Sequence, residues 1–478
     1  METAAAAALP DDLLAGVLGR LPARSLAASR GTCKAWRDLI DERQLLVRFR
    51  RLLPHTVRGL FINYQDYYRP HFLSRPTPTS SPEAAADGGH RRIDANFDFI
   101  EREDPYSWYE VADHCNGLVL FTEGHGEVLH VCNPITRWSA RPPPCPAGTY
   151  DLYYSAGNYG RRAFLVFDPL VSPEYYKVVL TPAEPGREQM EKDGACRRTE
   201  WPPSAWASWH EFSSATGRWE EKVLLREGEA AAGTAGDLLL YKHRWGFHVD
   251  PPCRYAAYWK GALYVHWHGE FVTRVSLVDD KYRVIKSPLQ LAECKNDGVR
   301  SFLGRSEKGV YMAAITQECL PILRVWTLSE SSGGHMEWVP KHQSNLKINA
   351  HFWCVQNNNF DELKYWNLDL DPEYSMFGLD NGRKNQDVSL EQNVSWNSDD
   401  DNIVDISDDK HEIHPYVNFL GFHPYKEVIF LSRDSYAAVA FHLNSPKIQY
   451  LGTVHLAGTY NRGIRESFVY TPCLIGDY

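Results

Sequence analysis

The stretch that decides the reading of this chain runs from Leu9 to Leu46, LPDDLLAGVLGRLPARSLAASRGTCKAWRDLIDERQLL. Leu21-Pro22 and Gly31-Thr32 break it into three short helices. In the first, Asp11 or Asp12 stands where it can cap the helix just after Pro10, and Leu13, Leu14, Val17, Leu18 and Leu21 recur at three- and four-residue steps. Leu13 and Leu14 sit about 100° apart around the axis, as do Val17 and Leu18, so one member of each pair faces inward and the other outward. Ser25 starts a second helix anchored by Leu26, and Thr32 caps a third that carries Cys33, Trp36, Leu39 and Ile40. A unit of roughly 40 residues buries too little surface to be comfortably stable alone. Its wide apolar stripe therefore predicts a partner surface.

Upstream, residues 1–8 are expected to be disordered. Downstream, residues 47–58 read as a connecting helix or linker in which Arg48, Arg50 and Arg51 alternate with apolar positions until Pro54 ends the pattern. From Gly59 the period changes to short β-branched and aromatic runs bounded by Gly, Pro, Asn and Asp. A loose hairpin repeat organises residues 59–478: VCNPITRW (131–138), VFDPLVSPEYYKVV (166–179), EFSSATGRWEE (211–221), RVSLVDDKYRVI (274–285), RVWTLSESSGGHMEW (324–338) and AFHLNSPKIQY (440–450), with YWNLDLDPEY (365–374) as a possible seventh copy. Apolar strands precede several of them, at NGLVLF, KGALYV, KGVYMAAI and YKEVIFL, and read as inner strands. Units that cannot bury both faces alone stack around an axis. The pattern predicts an all-β domain, a β-propeller of six to eight blades, closed by ESFVYT (466–471) beside GLFINY (59–64); a two-layer β-sandwich is the alternative. Flexible insertions are expected near 74–92, 182–200, 228–237 and 371–412, the last strongly acidic.

The net charge of −10 leaves no electrostatic footprint for nucleic acid or an anionic membrane. The ten cysteines contain no C-x-x-C pair and read as reduced, mostly buried residues. METAAAAALP lacks the basic start of a secretory signal, and no later run is long enough to span a bilayer, so a cytoplasmic or nuclear location is expected. Catalytic signatures are poor: there is no G-x-S-x-G, H-E-x-x-H or dinucleotide fingerprint, and Val310-Tyr311 stand where a Walker loop after Gly304 and Gly309 needs Lys-Ser/Thr. His266 with His268, and His411 with His414, read as packed or solvated histidines, because a metal site needs three or four convergent ligands. No catalytic residue, metal or cofactor is assigned. The aromatic stretches YYSAGNYG, WPPSAWASWH and FHVDPPCRYAAYW are candidate recognition anchors, with blade filling as the plainer role.

Leu9-Pro10 with Asp12, Leu13 and Leu14, then Leu21-Pro22, Leu26 and Cys33-Lys34-Ala35-Trp36-Arg37 with Ile40, resemble the F-box, the adaptor-docking module of substrate receptors in SCF ubiquitin ligases. The phrases HCNGLVLF, VCNPITRW, FLVFDP, SSATGRWEE and YAAYWKGALYV look like the kelch-like, F-box-associated propeller region of a large plant family, although the kelch double glycine is missing from most copies. The resemblance implies a non-catalytic substrate receptor: residues 9–46 bind a Skp-type adaptor and, through it, a cullin, while the propeller holds a target protein. On that resemblance Leu9, Pro10, Leu13, Leu14, Val17, Leu18, Leu21, Pro22, Leu26, Cys33, Trp36 and Ile40 are core or adaptor-facing positions. A scaffold whose helices only cap the propeller, and a glycan- or small-molecule-binding propeller, remain as the other readings.

Overall fold

The structure is a computed structural model that describes residues 10–21, 26, 29, 33–43, 45, 56–65, 67–75, 93, 95–102, 107–124, 128–147, 161–169, 171–185, 192–231, 233–237, 255–267, 271–289, 299–306, 308–316, 321–331, 334–346, 365–369, 396, 403–404, 416–433, 436–445, 447–456 and 463–473. Helices α1 (Asp11–Leu18) and α2 (Lys34–Glu42) form the leading module. Pro10, not an aspartate, is the N-cap of α1 and makes no side-chain capping bond. Asp11 and Asp12 lie within the first turn, where their charge opposes the exposed backbone N–H groups. Thr32 and residues 47–55 of the linker expected at 47–58 fall outside the described residues.

The rest of the chain is β. Strands β1 (Gly59–Tyr64) and β2 (His71–Ser74) come first, followed by a four-stranded sheet of β3 (Tyr109–Cys115), β4 (Leu118–Glu123), β5 (Val128–Asn133) and β6 (Trp138–Ala140). A third unit pairs β7 (Ala163–Val166), β8 (Lys177–Leu180), β10 (Ala205–Ser213) and β11 (Arg218–Arg226). The excursion between β8 and β10 contains α3 (Gly194–Arg198) and β9 (Glu200–Trp201), and β9 pairs with β12 (Gly233–Thr234). The insertions expected near 182–200 and 228–237 thus meet in a small folded subunit that buries Ala235.

The fourth unit is β13 (Ala256–Trp259), β14 (Ala262–Trp267), β15 (Phe271–Ser276) and β16 (Lys281–Lys286); the fifth is β17 (Val299–Ser306), β18 (Gly309–Thr316), β19 (Ile322–Glu330) and β20 (Met336–Asn345). After β21 (Asn367–Leu368) and β22 (Ile403–Val404), the sixth unit is β23 (Val417–Phe422), β24 (Val428–Arg433), β25 (Ala437–His442) and β26 (Ile448–Thr453), with β22 added at its outer edge. The closing strand β27 (Ile464–Tyr470) pairs antiparallel with β1 from Gly59↔Tyr470 to Tyr64↔Ile464, giving a sheet ordered β21-β2-β1-β27. Among the described residues the strands group into six four-stranded units, the six blades of a β-propeller, one of them composite; the third and fourth are joined edge to edge into one eight-stranded sheet, where β11 pairs parallel with β16 at Leu225↔Lys281 and Arg226↔Tyr282. The earliest strand lies innermost in five blades and the chain's last strand, β27, in the composite one: β23 packs on β27, β27 on β3, β3 on β7, β13 on β17 and β17 on β23.

Several hairpin assignments change. VFDPLVSPEYYKVV supplies strands one and two of the third blade, and EFSSATGRWEE supplies strands three and four of the same blade. The apolar strands read as innermost are the second strands, fully buried at β4, β18 and β24 because neighbouring blades cover both faces. Burial on both faces removes the alternation that would mark a strand's place in a sheet. Of YWNLDLDPEY, Asn367–Leu368 form the outer strand of the composite blade, and residues 370–374 lie outside the described set. Asp369 fastens that strand, accepting the Phe72 N–H at 2.6 Å and lying 3.3 Å from Arg69 Nη1. Within the acidic insertion, Trp396 packs against Trp366 and Phe430, and β22 joins β26, so these two pieces are anchored between the last blade and the first.

Polar struts join the blades. The Asn63 amide donates to Val111 O at 2.8 Å and accepts from Val111 N at 3.2 Å, Ser467 Oγ donates to Leu420 O at 2.8 Å, and Ser306 Oγ donates to His423 O at 2.9 Å. Near the axis the inner strands crowd, and Gly421 (φ +141°) has no room for a Cβ, which would stand 2.5 Å from Val469 Cγ2. Tyr470 is fully buried against Phe61 and Phe72. Tyr470→Ala should therefore lower stability by about 3–5 kcal/mol in urea unfolding, and a midpoint equal to that of the unsubstituted chain would show that the closing strand does not hold the ring.

Candidate functional site

Two places stand out. The first is the helical module, where Leu18, Leu26, Leu39 and Ile40 are buried together and Leu14, Ala15, Leu21, Trp36 and Leu45 pack around them. Leu13 and Val17, one turn apart on α1, remain 59% and 54% exposed. The adjacent pairs are therefore split: Leu14 and Leu18 face the module's core, and Leu13 and Val17 form an apolar ridge outside it. Pro10 and Cys33 are exposed, whereas Leu9 and Pro22 lie outside the described residues. Arg43 Nη2 meets Asp12 Oδ1 at 2.5 Å across α1 and α2, an exposed pair that contributes little to stability.

The second is a cavity of about 110 Å³ on the propeller axis, lined by residues of all six innermost strands. Its charged groups come from four blades: Asp113 and His114 on β3, Arg162 just before β7, Arg305 on β17 and Glu466 on β27. Arg162 Nη2 and Glu466 Oε1 form an ion pair of 2.5 Å. Asp113 Oδ2 accepts the Leu165 backbone N–H at 2.8 Å. Burial pushes the Asp113 carboxyl up to about 7, aided by Glu466 and opposed by backbone hydrogen bonds and Arg162. Burial pushes His114 down to about 4, with the Arg305 charge acting in the same direction. Arg305 reaches across the axis to donate to Asn116 Oδ1, while Asn116 Nδ2 donates to Phe167 O at 2.6 Å.

None of these cavity residues carries a motif. They converge only because the ring brings together positions up to 353 residues apart, such as 113 and 466. No local signal marks them, since β3, β17 and β27 each carry other charged or polar residues and Arg162 precedes β7. Of the aromatic stretches, Trp201, Trp206 and Trp209 are buried with Trp267 and Tyr282 between the third and fourth blades, so they are filling. Tyr255 and Tyr258 line the axial cavity, and YYSAGNYG lies outside the described residues. His266 is buried in β14; His268, His411 and His414 are outside the described set. Among the described residues no cluster of three metal-ligating side chains occurs and no helix is long and apolar enough to cross a membrane.

The chain thus combines a small helical module bearing an outward apolar ridge with a β-propeller. Comparison with known proteins specifies it. Residues 6–51 match the family described as F-box-like. A probable F-box protein of Arabidopsis thaliana is 29% identical over 159 residues, covering 33% of this chain and 35% of the relative. A putative F-box/kelch-repeat protein of the same plant is 27% identical over 183 residues, covering 34% and 44%. The chain thus carries an F-box-like domain at its N-terminus and is homologous to plant F-box proteins, one of them an F-box/kelch-repeat protein. The matches span between about a third and under half of those relatives' length. Among solved structures, AztD of Citrobacter koseri overlaps 86% of this chain and 98% of its own at 9% identity and a TM-score of 0.33. So shallow an overlap carries no weight, and the blades rest on the strand pairing itself.

The cavity's two perturbed groups oppose each other in their effect on stability. Asp113, raised in the folded state, contributes stability below its unfolded value near 3.8 that is lost as pH rises through about 7. His114, lowered in the folded state, contributes stability above its unfolded value near 6.5 that is lost as pH falls toward about 4. Relative to the unsubstituted chain, Asp113→Asn should therefore gain stability as pH rises from about 4 to 7, and His114→Gln should lose it between about 4 and 6.5. Urea midpoints measured across that range check both signs.

Proposed function

We propose that this chain is the substrate-recognition subunit of an SCF-type ubiquitin ligase, with the F-box-like domain docking a Skp-type adaptor and the propeller holding a target protein. The observation that carries the reading is the exposed Leu13–Val17 ridge, backed by a filled core. An apolar pair on a module this small gains about 1.5–3 kcal/mol per side chain when another surface covers it. The match of residues 6–51 to the F-box-like family supports the adaptor as the covering partner, and through the adaptor a cullin scaffold.

On this reading the protein is not itself a catalyst. Tethering a target near a ubiquitin-charged conjugating enzyme raises its effective concentration, to the millimolar range for short linkers, which accelerates transfer with no reacting residue on this chain. The propeller suits the task because rim loops on a rigid ring can vary without disturbing the blades. A nuclear or cytoplasmic location follows as part of the same proposal.

The structure refines the choice of test. Leu14 and Leu18 are core positions, so charging them would damage the module rather than its surface. Leu13→Asp with Val17→Asp should abolish co-purification of a Skp-type adaptor with the full chain, because two carboxylates would enter a desolvated interface. Thermal unfolding of the propeller should be unchanged. Undiminished co-purification of that double variant would remove the basis for the ligase reading.

A further inference from the structure

The axial cavity is independent of the helical ridge, and its charges do not cancel evenly. Arg162 is committed to Glu466 at 2.5 Å. Asp113 is occupied by the Leu165 backbone N–H, and burial pushes its carboxyl up to about 7, which weakens it as an anion. His114 is neutral in the same range. That leaves Arg305, which lines the cavity and donates to the neutral Asn116 amide; among the described residues it has no carboxylate partner. A guanidinium presents a planar fork of donors matched to a carboxylate, and one amide oxygen uses only part of it. Around it stand Phe164, Phe419, Phe422 and Phe468, apolar surface for the body of a ligand.

We propose that this cavity binds a small organic carboxylate, with Arg305 as its anchoring cation. The size class follows from the volume: about 110 Å³ is less than the roughly 150 Å³ cavity that accepts benzene, so an acid of about five non-hydrogen atoms or fewer fits. A cationic ligand is disfavoured, since Glu466 is already paired with Arg162 and Asp113 already accepts the Leu165 backbone N–H. Arg305 spans the axis from the fifth blade to Asn116 on the second, so an acid seated on its fork would lie where opposite blades approach.

Thermal unfolding of the full chain tests this with sodium propionate as the probe, sodium chloride as the ionic control and propionamide as the uncharged isostere. Propionate should raise the melting temperature saturably, as a ligand of the folded state does, and chloride and propionamide should not. Arg305→Gln removes the charge and the guanidinium fork, and should weaken propionate binding by about tenfold or more. The proposal is overturned if propionate gives no saturable shift, if propionamide matches it, or if Arg305→Gln binds propionate as the unsubstituted chain does. The propionate and propionamide arms stand without the variant, so a poorly folding Arg305→Gln leaves the test intact. No adaptor is needed, so the outcome is separate from that of the ligase reading.

Discussion

The pairing of β27 with β1 is the constraint on which the rest of this structure depends. An open row of blades would leave the inner face of β1 and the flank of β23 uncovered, with unpaired backbone groups along β1. Adding the last strand of the chain as the innermost strand of the first blade satisfies those groups and places Val469 and Tyr470 in the core. Closure also carries Glu466 to the axis opposite Arg162, and takes Ser467 Oγ to the Leu420 carbonyl of the sixth blade. Asn133 extends the same seam by donating to Cys473 O at 2.7 Å. The axial cavity is a product of ring closure, not of any one blade.

The two candidate sites differ in kind. The helical ridge is local: two positions one turn apart on α1 are left outside because their neighbours fill a core of four buried residues. Its chemistry is simple apolar contact, suited to a standing association with another folded surface. The cavity is global, and it couples charge to burial. A carboxyl pushed up to about 7 and an imidazole pushed down to about 4, both on β3, are the expected response of acid and base to the same poorly solvated environment. Side chains that keep some accessible surface there do so because they face the cavity rather than bulk water.

Much of the local structure was legible. The hairpins at VCNPITRW, RVSLVDDKYRVI, RVWTLSESSGGHMEW and AFHLNSPKIQY fall where turn chemistry and strand period place them, because a tight turn is specified by the few residues that make it. Blade membership was not legible. Two hairpins were counted as separate repeats although the third blade uses both, since the excursion of residues 181–204 hides the pairing of β8 with β10. The second strands read as inner ones because burial on both faces gives the same continuous apolar run in either place. The tryptophans at 201, 206 and 209 had the composition of an interface and prove to be filling between two blades.

The sequence by itself determined the first helix of the leading module, its inward and outward alternation, and the turn-bounded strands. These follow from period, capping and turn preference, which act over a few residues. Only the tertiary structure decided that there are six blades among the described residues, and which member of each leucine or valine pair is exposed. It alone brought Asp113, Arg162, Arg305 and Glu466 around one cavity. The physical reason is that ring geometry joins residues hundreds of positions apart, and no local preference encodes which strands will meet across an axis.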